Sequence, residues 1–270
     1  MIEVNKQSLG NYLKEIRERS MSQLGSTKLN ALIYGQKGIG KSTLLTTCPT
    51  PVLVHSFDPG GCSHLTEERK SGRLIYDDRF ENEDARNPRA WNLWETEFDK
   101  IRKEGGFEQI GTYAIDSLTL MQRALYNEVA SGKSKRGTNL AEDGVLIRKG
   151  WGILTNILSD MIKLCAAQKC HFLLLCHVDR ALEEVSGRMF LNISTNPASK
   201  VLLPMMFGEM YYMTFDPADA SKRVLQTIGG DRVIASSRFS RTGKFNQFEP
   251  ANIKELMKKA MLPCEDKQTI

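Results

Sequence analysis

One stretch near the N-terminus constrains the fold of this chain more than any other. Residues 31–34 (ALIY) form an apolar run that is long enough for a buried strand. The next eight residues, GQKGIGKS, match the pattern G-x-x-x-x-G-K-[ST], and the chain then continues in a helical pattern. Strand, glycine-rich turn and helix in this order are the context that a phosphate-binding loop requires, so the sequence predicts a nucleotide site here.

The residue types in this turn explain how it would hold a phosphate. Glycines let backbone N–H groups turn inward, and the helix N-terminus adds free donors and the positive end of its dipole. Lys41 is expected to reach the β- and γ-phosphates, and the Ser42 hydroxyl to bind Mg²⁺. A glycine-rich turn with a solvated lysine is the alternative. The predicted nucleotide-binding residues are Gly35, Gln36, Lys37, Gly38, Ile39, Gly40, Lys41, Ser42 and Thr43.

Three later apolar runs end in polar side chains that are candidates for the same site. They lead to Asp58, Asp116 and His177. In an open α/β sheet, ligands bind outside the carboxyl ends of the strands. Asp116 is predicted to hold Mg²⁺, directly or through water. Asp58, on a strand that we place beside the phosphate loop, is predicted to orient or deprotonate the attacking water, or to be a turn residue before Pro-Gly. His177 is predicted to sense the γ-phosphate, with a core histidine as the alternative.

Length and composition favour one large α/β domain with short extensions. Residues 29–261 are predicted to form this domain, with a helical segment at 1–28 and a tail at 262–270. Apolar residues recur at helical spacing in the first segment: Leu9, Tyr12, Leu13 and Ile16. We predict that this stripe packs on its own domain, and docking on a neighbouring subunit is the alternative.

Net charge, cysteine content and the lengths of apolar runs indicate which partners and which cellular compartment to expect. The formal net charge of +5 permits a nucleic-acid partner but does not require one. No apolar run approaches membrane-spanning length and no signal-peptide core is present, so we expect a cytoplasmic protein with reduced thiols and no membrane partner. The cysteines near His171 and His177 are predicted to be buried thiols rather than zinc ligands.

Five features, taken in order, resemble those of a known family: GQKGIGKST, the acidic strand end at Asp58, YAIDSLT, LLLCH and SRFSRTGK. The chain resembles the phage-encoded AAA-type P-loop ATPases of the RecA-like fold, the group associated with single-strand annealing and recombination. The similarity covers nearly all of residues 29–250. It implies a central, mainly parallel sheet flanked by helices, with a C-terminal β extension. It also implies that the strand ending at His177 lies between the phosphate-loop strand and the Asp116 strand.

The resemblance also implies an activity. It indicates a Mg²⁺-dependent ATPase that acts on single-stranded DNA in phage recombination, annealing or replication. Ring or filament assembly with ATP at subunit interfaces is expected, and an annealing or single-strand-binding protein is a candidate partner. A DNA-independent assembly or remodelling ATPase and a nucleotide-switched binding module remain alternatives. The chain departs from the family pattern at one position that concerns the attacking water. RecA-like enzymes usually place a glutamate where this chain has Asp58, whose side chain is shorter.

Further site residues follow from the resemblance. In RecA-like proteins the loops that correspond to residues 131–143 and 179–200 face the assembly axis. Arg241, with Arg238 second, is expected to reach the γ-phosphate of a neighbouring subunit, and a basic turn or a DNA contact is the alternative. Basic and aromatic side chains of the two loops are expected to contact DNA phosphates and bases: Lys133, Lys135, Arg136, Arg188 and Phe190. A solvated charged loop, followed by a short hairpin whose Phe190 packs inward, is the alternative.

Overall fold

The computed structural model describes residues 6–22, 28–131, 145–182 and 189–268. Its helices are α1 Lys6–Ser22, α2 Lys41–Leu44, α3 Thr66–Lys70, α4 Ala90–Lys103, α5 Leu118–Ala130, α6 Arg148–Ala167, α7 Pro197–Met205, α8 Arg238–Arg241 and α9 Ile253–Ala260. Its strands are β1 Asn30–Gly35, β2 Val52–Ser56, β3 Leu74–Asp77, β4 Thr112–Asp116, β5 His171–Leu182, β6 Met189–Ile193, β7 Glu209–Phe215, β8 Arg223–Gln226, β9 Ser236–Ser237 and β10 Phe248–Pro250.

The strands form one sheet in the order β10-β8-β7-β1-β5-β4-β2-β3, with β6 paired to β5 and β9 to β7. Every pair from β7 to β3 in this order is parallel. The inner strands β1, β2 and β4 are buried on both faces, which agrees with their nearly continuous apolar sequences. β8 and β10 extend the sheet beyond β7, and both are antiparallel to their neighbours. The predicted α/β class with a C-terminal β extension is confirmed, and β5 lies between β1 and β4 as expected.

Helices cover both faces of the sheet. Side chains alternate along β1, so Leu32 and Tyr34 join the core under α4, α5 and α6, while Ala31 and Ile33 join the core under α2 and α9. Large side chains of α4 are buried in this core: Trp91, Trp94 and Phe98. The six cysteines are free thiols, and all except Cys264 are buried. The burial of Cys165, Cys170 and Cys176, the cysteines near His171 and His177, confirms the prediction made for them. Within the described ranges, no helix combines the length and apolarity needed to cross a bilayer.

The sheet order corrects two expectations about the strands. β2, which leads to Asp58, pairs with β4 and β3 and not with the phosphate-loop strand β1. β5 does not end at His177 but continues to Leu182, because β6 supplies an antiparallel partner from Val178 onward. The region at 179–200, predicted to be a loop or a hairpin, contains the antiparallel pair of the β5 end with β6, followed by the start of α7.

The N-terminal helix differs from its prediction. α1 forms, but its apolar stripe is exposed: Tyr12 is 58%, Leu13 57% and Ile16 45% accessible. The prediction that this stripe packs on its own domain is wrong. Other helices cover both faces of the sheet, and none of the described α1 residues belongs to either core cluster.

Candidate functional site

The phosphate loop connects β1 to α2, and its glycines are required for two different reasons. Gly38 and Gly40 have φ values of 80° and 102°, the left-handed region that favours glycine. A Cβ atom at Gly35 would lie 2.7 Å from the Met213 carbonyl oxygen on β7. Substitution of Gly35 would therefore push the loop away from its neighbouring strand.

Lys41 lies inside this loop and is only 6% exposed. Its Nζ donates hydrogen bonds to the carbonyl oxygens of Gly35, at 3.0 Å, and Gln36, at 3.1 Å. Burial lowers the pKa of Lys41, and the carboxylates of Asp116 and Asp58 partly oppose that shift. A polyphosphate bound in the loop would place negative charge beside this ammonium and stabilise its charged form.

Ser42 and Asp116 meet beside Lys41. The Ser42 hydroxyl donates a 2.6 Å hydrogen bond to Asp116 Oδ2, and Asp116 is 2% exposed. Burial raises the pKa of Asp116 to about 6, and the charge of Asp58 acts in the same direction. A Cβ atom at Gly61 would lie 3.2 Å from Asp116 Oδ2, so the loop after β2 closes on this carboxylate. Hydroxyl and carboxylate oxygens are ligands that suit Mg²⁺, so this pair fits the predicted metal.

Asp58 is held by two side chains. Its Oδ1 accepts a 2.6 Å hydrogen bond from the Ser117 hydroxyl, and its Oδ2 accepts one of the same length from His177 Nε2. Burial by itself would raise the pKa of Asp58, but the hydrogen bonds from His177 and Ser117 hold it below the usual value. Ser117 occupies the N-cap position of α5, but its hydroxyl bonds to Asp58 and makes no capping hydrogen bond.

These residues line one cavity of about 410 Å³ at the carboxyl ends of the parallel strands. Asp58, Asp116 and His177 come together there, as the strand-end pattern predicted, although β2 and β1 are not neighbours. His64 also lines the cavity, with Nε2 3.1 Å from the Thr43 hydroxyl oxygen. A lone histidine in a turn is more often a surface or packing residue, so the sequence does not single out His64. Its nearness to the Asp58 turn was the signal that could have placed it.

Glu81 stabilises the loop that carries Asp58, and the sequence does not identify it. Glu81 accepts a 2.8 Å hydrogen bond from the Gly60 backbone N–H and a second hydrogen bond from the Tyr76 hydroxyl. Glu81 thereby fixes the turn that carries Asp58 and Gly61. It lies in a polar segment with no motif, so only the folded chain reveals this contact.

Most of the predicted nucleic-acid residues lie outside the described residues: Lys133, Lys135, Arg136 and Arg188. Phe190 is described and lies on β6, half-buried, opposite Ala181 of β5. It is therefore on the hairpin that extends β5 beyond His177, and it does not line the phosphate cavity.

Arg238 and Arg241 lie at the opposite end of the sheet from the phosphate loop. Ser237, which precedes α8, pairs with Glu209 at the start of β7, whereas Gly35 of the phosphate loop pairs with Met213 near the end of β7. The structure therefore does not bring the two arginines to the phosphate site of their own chain.

The three cations of this segment differ in their surroundings. The Arg238 side chain packs over Gly208, where a Cβ atom would lie 2.8 Å from Arg238 Nε. Lys244 Nζ donates to the Ala260 carbonyl oxygen at 3.3 Å and lies over the Phe239 ring. Arg241 is exposed, and no described residue forms a hydrogen bond or ion pair with its guanidinium.

The mainly parallel sheet and the phosphate loop at the end of β1 define this chain as a P-loop nucleotide-binding protein. A family profile described as "AAA domain" matches residues 27–239. The chain belongs to this AAA domain family, for which nucleotide binding and hydrolysis are the expected activities. No curated protein sequence matches the chain.

Among solved structures, the chain is similar to one described as a prototypical ATPase from the type III secretion system of pathogenic bacteria. The sequence identity is 13% and the TM-score 0.44, over 82% of this chain and 55% of that chain. This chain thus corresponds to little more than half of the length of that ATPase.

Proposed function

We propose that this chain is a Mg²⁺-dependent ATPase whose hydrolysis is coupled to single-stranded DNA, with a role in phage recombination, annealing or replication. One observation carries the ATPase part. A buried lysine, a serine–carboxylate pair and an aspartate–histidine pair converge on a single cavity. Phosphoryl transfer depends on positioning and charge stabilisation, and these are the groups that supply both.

The proposed roles follow from the contacts at this cavity. Lys41 binds the terminal phosphates and compensates the charge that develops in the transition state. Ser42 and Asp116 hold the metal, which when bound neutralises charge between the β- and γ-phosphates. Ionised Asp116 is the form that binds a cation, so metal binding favours loss of its proton.

Asp58 and His177 act as a pair in this proposal. Both Asp58 oxygens already accept hydrogen bonds and its pKa is lowered, so it is a weak proton acceptor. Its role is then to orient the attacking water and to fix the tautomer of His177, with Nε2 protonated. His177 lies on the cavity wall, where it can respond to the presence of a γ-phosphate.

The DNA part of the proposal is supported by the connection between His177 and the β5–β6 hairpin. The Ser194 N–H, just after β6, donates to the His177 carbonyl oxygen at 2.8 Å. The Thr119 hydroxyl oxygen accepts from the His177 N–H at 3.2 Å and donates to the Ser194 carbonyl oxygen at 3.0 Å. A displacement of His177 by the nucleotide would therefore reach the hairpin that carries Phe190.

A single assay separates the candidate functions. ATP hydrolysis is measured with and without single-stranded DNA, at saturating Mg²⁺. Stimulation by DNA supports the proposal. Equal turnover in both conditions favours a DNA-independent assembly or remodelling ATPase, and nucleotide binding without turnover favours a nucleotide-switched binding module.

The DNA contacts can be tested by neutralising the basic loop. Replacing three basic residues by glutamine should weaken DNA binding. It should also reduce the slope of log K against log salt concentration by up to about three, because each phosphate contact releases counterions. The residues to replace are Lys133, Lys135 and Arg136. A matched control removes three charges from the end of α4: Lys100, Arg102 and Lys103. Equal affinity and slope in the wild type and the loop variant would contradict this assignment.

The oligomer is part of the same proposal. Arg241 is exposed and lies at the far end of the sheet from its own phosphate loop. In a ring or filament we propose that it reaches the γ-phosphate bound by the neighbouring subunit. An arginine supplied in this way is worth about 10³–10⁵-fold in related phosphoryl-transfer enzymes.

A further inference from the structure

A second pocket lies against the phosphate loop and has no role in the mechanism proposed above. Its volume is about 420 Å³, within the roughly 300–1,000 Å³ of small-molecule sites. It shares Gly40 and Thr43 with the phosphate cavity and is closed by Met213, Arg223 and Ala251. β7 and β8 lie on one side of β1, and the strands that carry Asp116 and Asp58 lie on the other. The two cavities therefore adjoin across the loop.

Arg223, the first residue of β8, is fixed against the outer side of the loop. Its Nε donates a 2.6 Å hydrogen bond to the Ile39 carbonyl oxygen. The absence of a side chain at Gly40 permits this approach, since a Cβ atom there would lie 3.2 Å from both Cδ and Nε of Arg223. The guanidinium carbon also lies 5.8 Å from the centre of the Phe215 ring.

This arrangement leaves most of the guanidinium available to a ligand. A guanidinium has five N–H donors, and in the described part of the chain only the Nε donor has a partner. Arg223 lines the second pocket and does not line the phosphate cavity. It therefore lies outside the cavity that Lys41, Ser42 and Asp116 line.

We propose that the second pocket binds the nucleoside part of ATP and that Arg223 is the residue that holds it. The proposal rests on ATP binding at the phosphate loop. A triphosphate held by Lys41 leaves the loop past Gly40 and Thr43, the two residues that the cavities share. A planar guanidinium stacks on aromatic rings, and it donates hydrogen bonds to ribose oxygens and to the ring nitrogens of adenine, which a lysine does less well.

Comparison of ATP with inorganic tripolyphosphate tests this role, because the second ligand has the phosphates and no nucleoside. In calorimetric titrations with Mg²⁺, Arg223→Ala should bind ATP and ADP about tenfold more weakly than the wild type. Its affinity for tripolyphosphate should be unchanged. Arg223→Lys keeps the charge and loses the planar face. Its affinity for ATP should therefore lie between those of the wild type and Arg223→Ala.

The control is Arg73→Ala, which removes the same charge from an exposed position just before β3, at the far edge of the sheet. It should bind all three ligands as the wild type does. Equal weakening of ATP and tripolyphosphate by Arg223→Ala would mean that Arg223 only supports the loop through Ile39, and would overturn the proposal. Unchanged ATP binding would overturn it as well. If the wild type binds neither ligand, the proposed ATPase function fails and this assignment falls with it.

Discussion

Asp116→Asn is predicted to stabilise the ligand-free chain while it removes Mg²⁺-dependent hydrolysis. Asp116 is buried, and its pKa is raised from 3.8 to about 6. Asparagine is similar in shape to the protonated acid and keeps an oxygen that accepts the Ser42 hydrogen bond. The variant therefore avoids the cost of a buried charge but lacks the carboxylate that a metal needs.

The magnitude follows from the shift in pKa. A raised pKa means that the folded chain holds this proton more tightly than the unfolded chain does. The contribution to stability is therefore present below pH 4 and lost as the pH rises through about 6. A shift of about two units at about 1.4 kcal/mol per unit gives on the order of 3 kcal/mol near neutral pH. The advantage of Asp116→Asn should grow from below about 1 kcal/mol at pH 4 to about 3 kcal/mol at pH 7.5.

The measurement is urea unfolding of both proteins at pH 4, 6 and 7.5, in chelator and without nucleotide. Asp160→Asn, on the exposed side of α6, controls for the change in net charge. Adding Mg²⁺ and ATP should stabilise the wild type more than the variant, because ligands stabilise the state that binds them. A stability difference that does not change with pH, or a variant less stable at pH 7.5, would refute the reasoning.

The remaining predictions concern turnover. Lys41→Ala should abolish hydrolysis, and wild-type activity would reject the site. Asp58→Asn should keep nucleotide affinity and slow turnover by about 10²-fold, the size expected when the attacking water is misplaced; unchanged turnover would leave Asp58 as a turn residue. His177→Ala should uncouple hydrolysis from DNA, and retained stimulation would contradict the proposed link. Arg241→Ala and Lys41→Ala should each be inactive alone. Oligomers that mix the two variants should partly recover activity, because some interfaces then pair an intact Lys41 site with an intact Arg241. If subunits are shown to exchange and no activity returns, Arg241 does not act on a neighbouring subunit.

Local rules account for the parts of the fold that the sequence predicted well. The phosphate loop is encoded within a few residues, because left-handed backbone at Gly38 and Gly40 needs glycine and the flanking strand and helix are adjacent in sequence. The buried aromatic stripe of α4 is likewise a local periodic pattern. These features do not depend on which strands become neighbours.

Non-local contacts account for the errors. β5 was expected to stop at His177, but pairing with β6 carries it to Leu182. The apolar stripe of α1 has the pattern of a core-facing helix, yet its described side chains are exposed and none of them belongs to either core cluster. Periodicity indicates which face of an element is apolar, but it does not say whether that face finds a partner.

The sequence by itself determined the class of this protein, because a phosphate loop is a continuous segment whose glycines and lysine act through backbone geometry and charge. It also supplied the candidates Asp58, Asp116 and His177, since each follows an apolar run. Only the tertiary structure decided that Ser117 and His177 restrain Asp58, and that Arg223 lies against the phosphate loop. Those contacts join residues that are distant in sequence, and the order of the strands, which no local pattern encodes, brings them together.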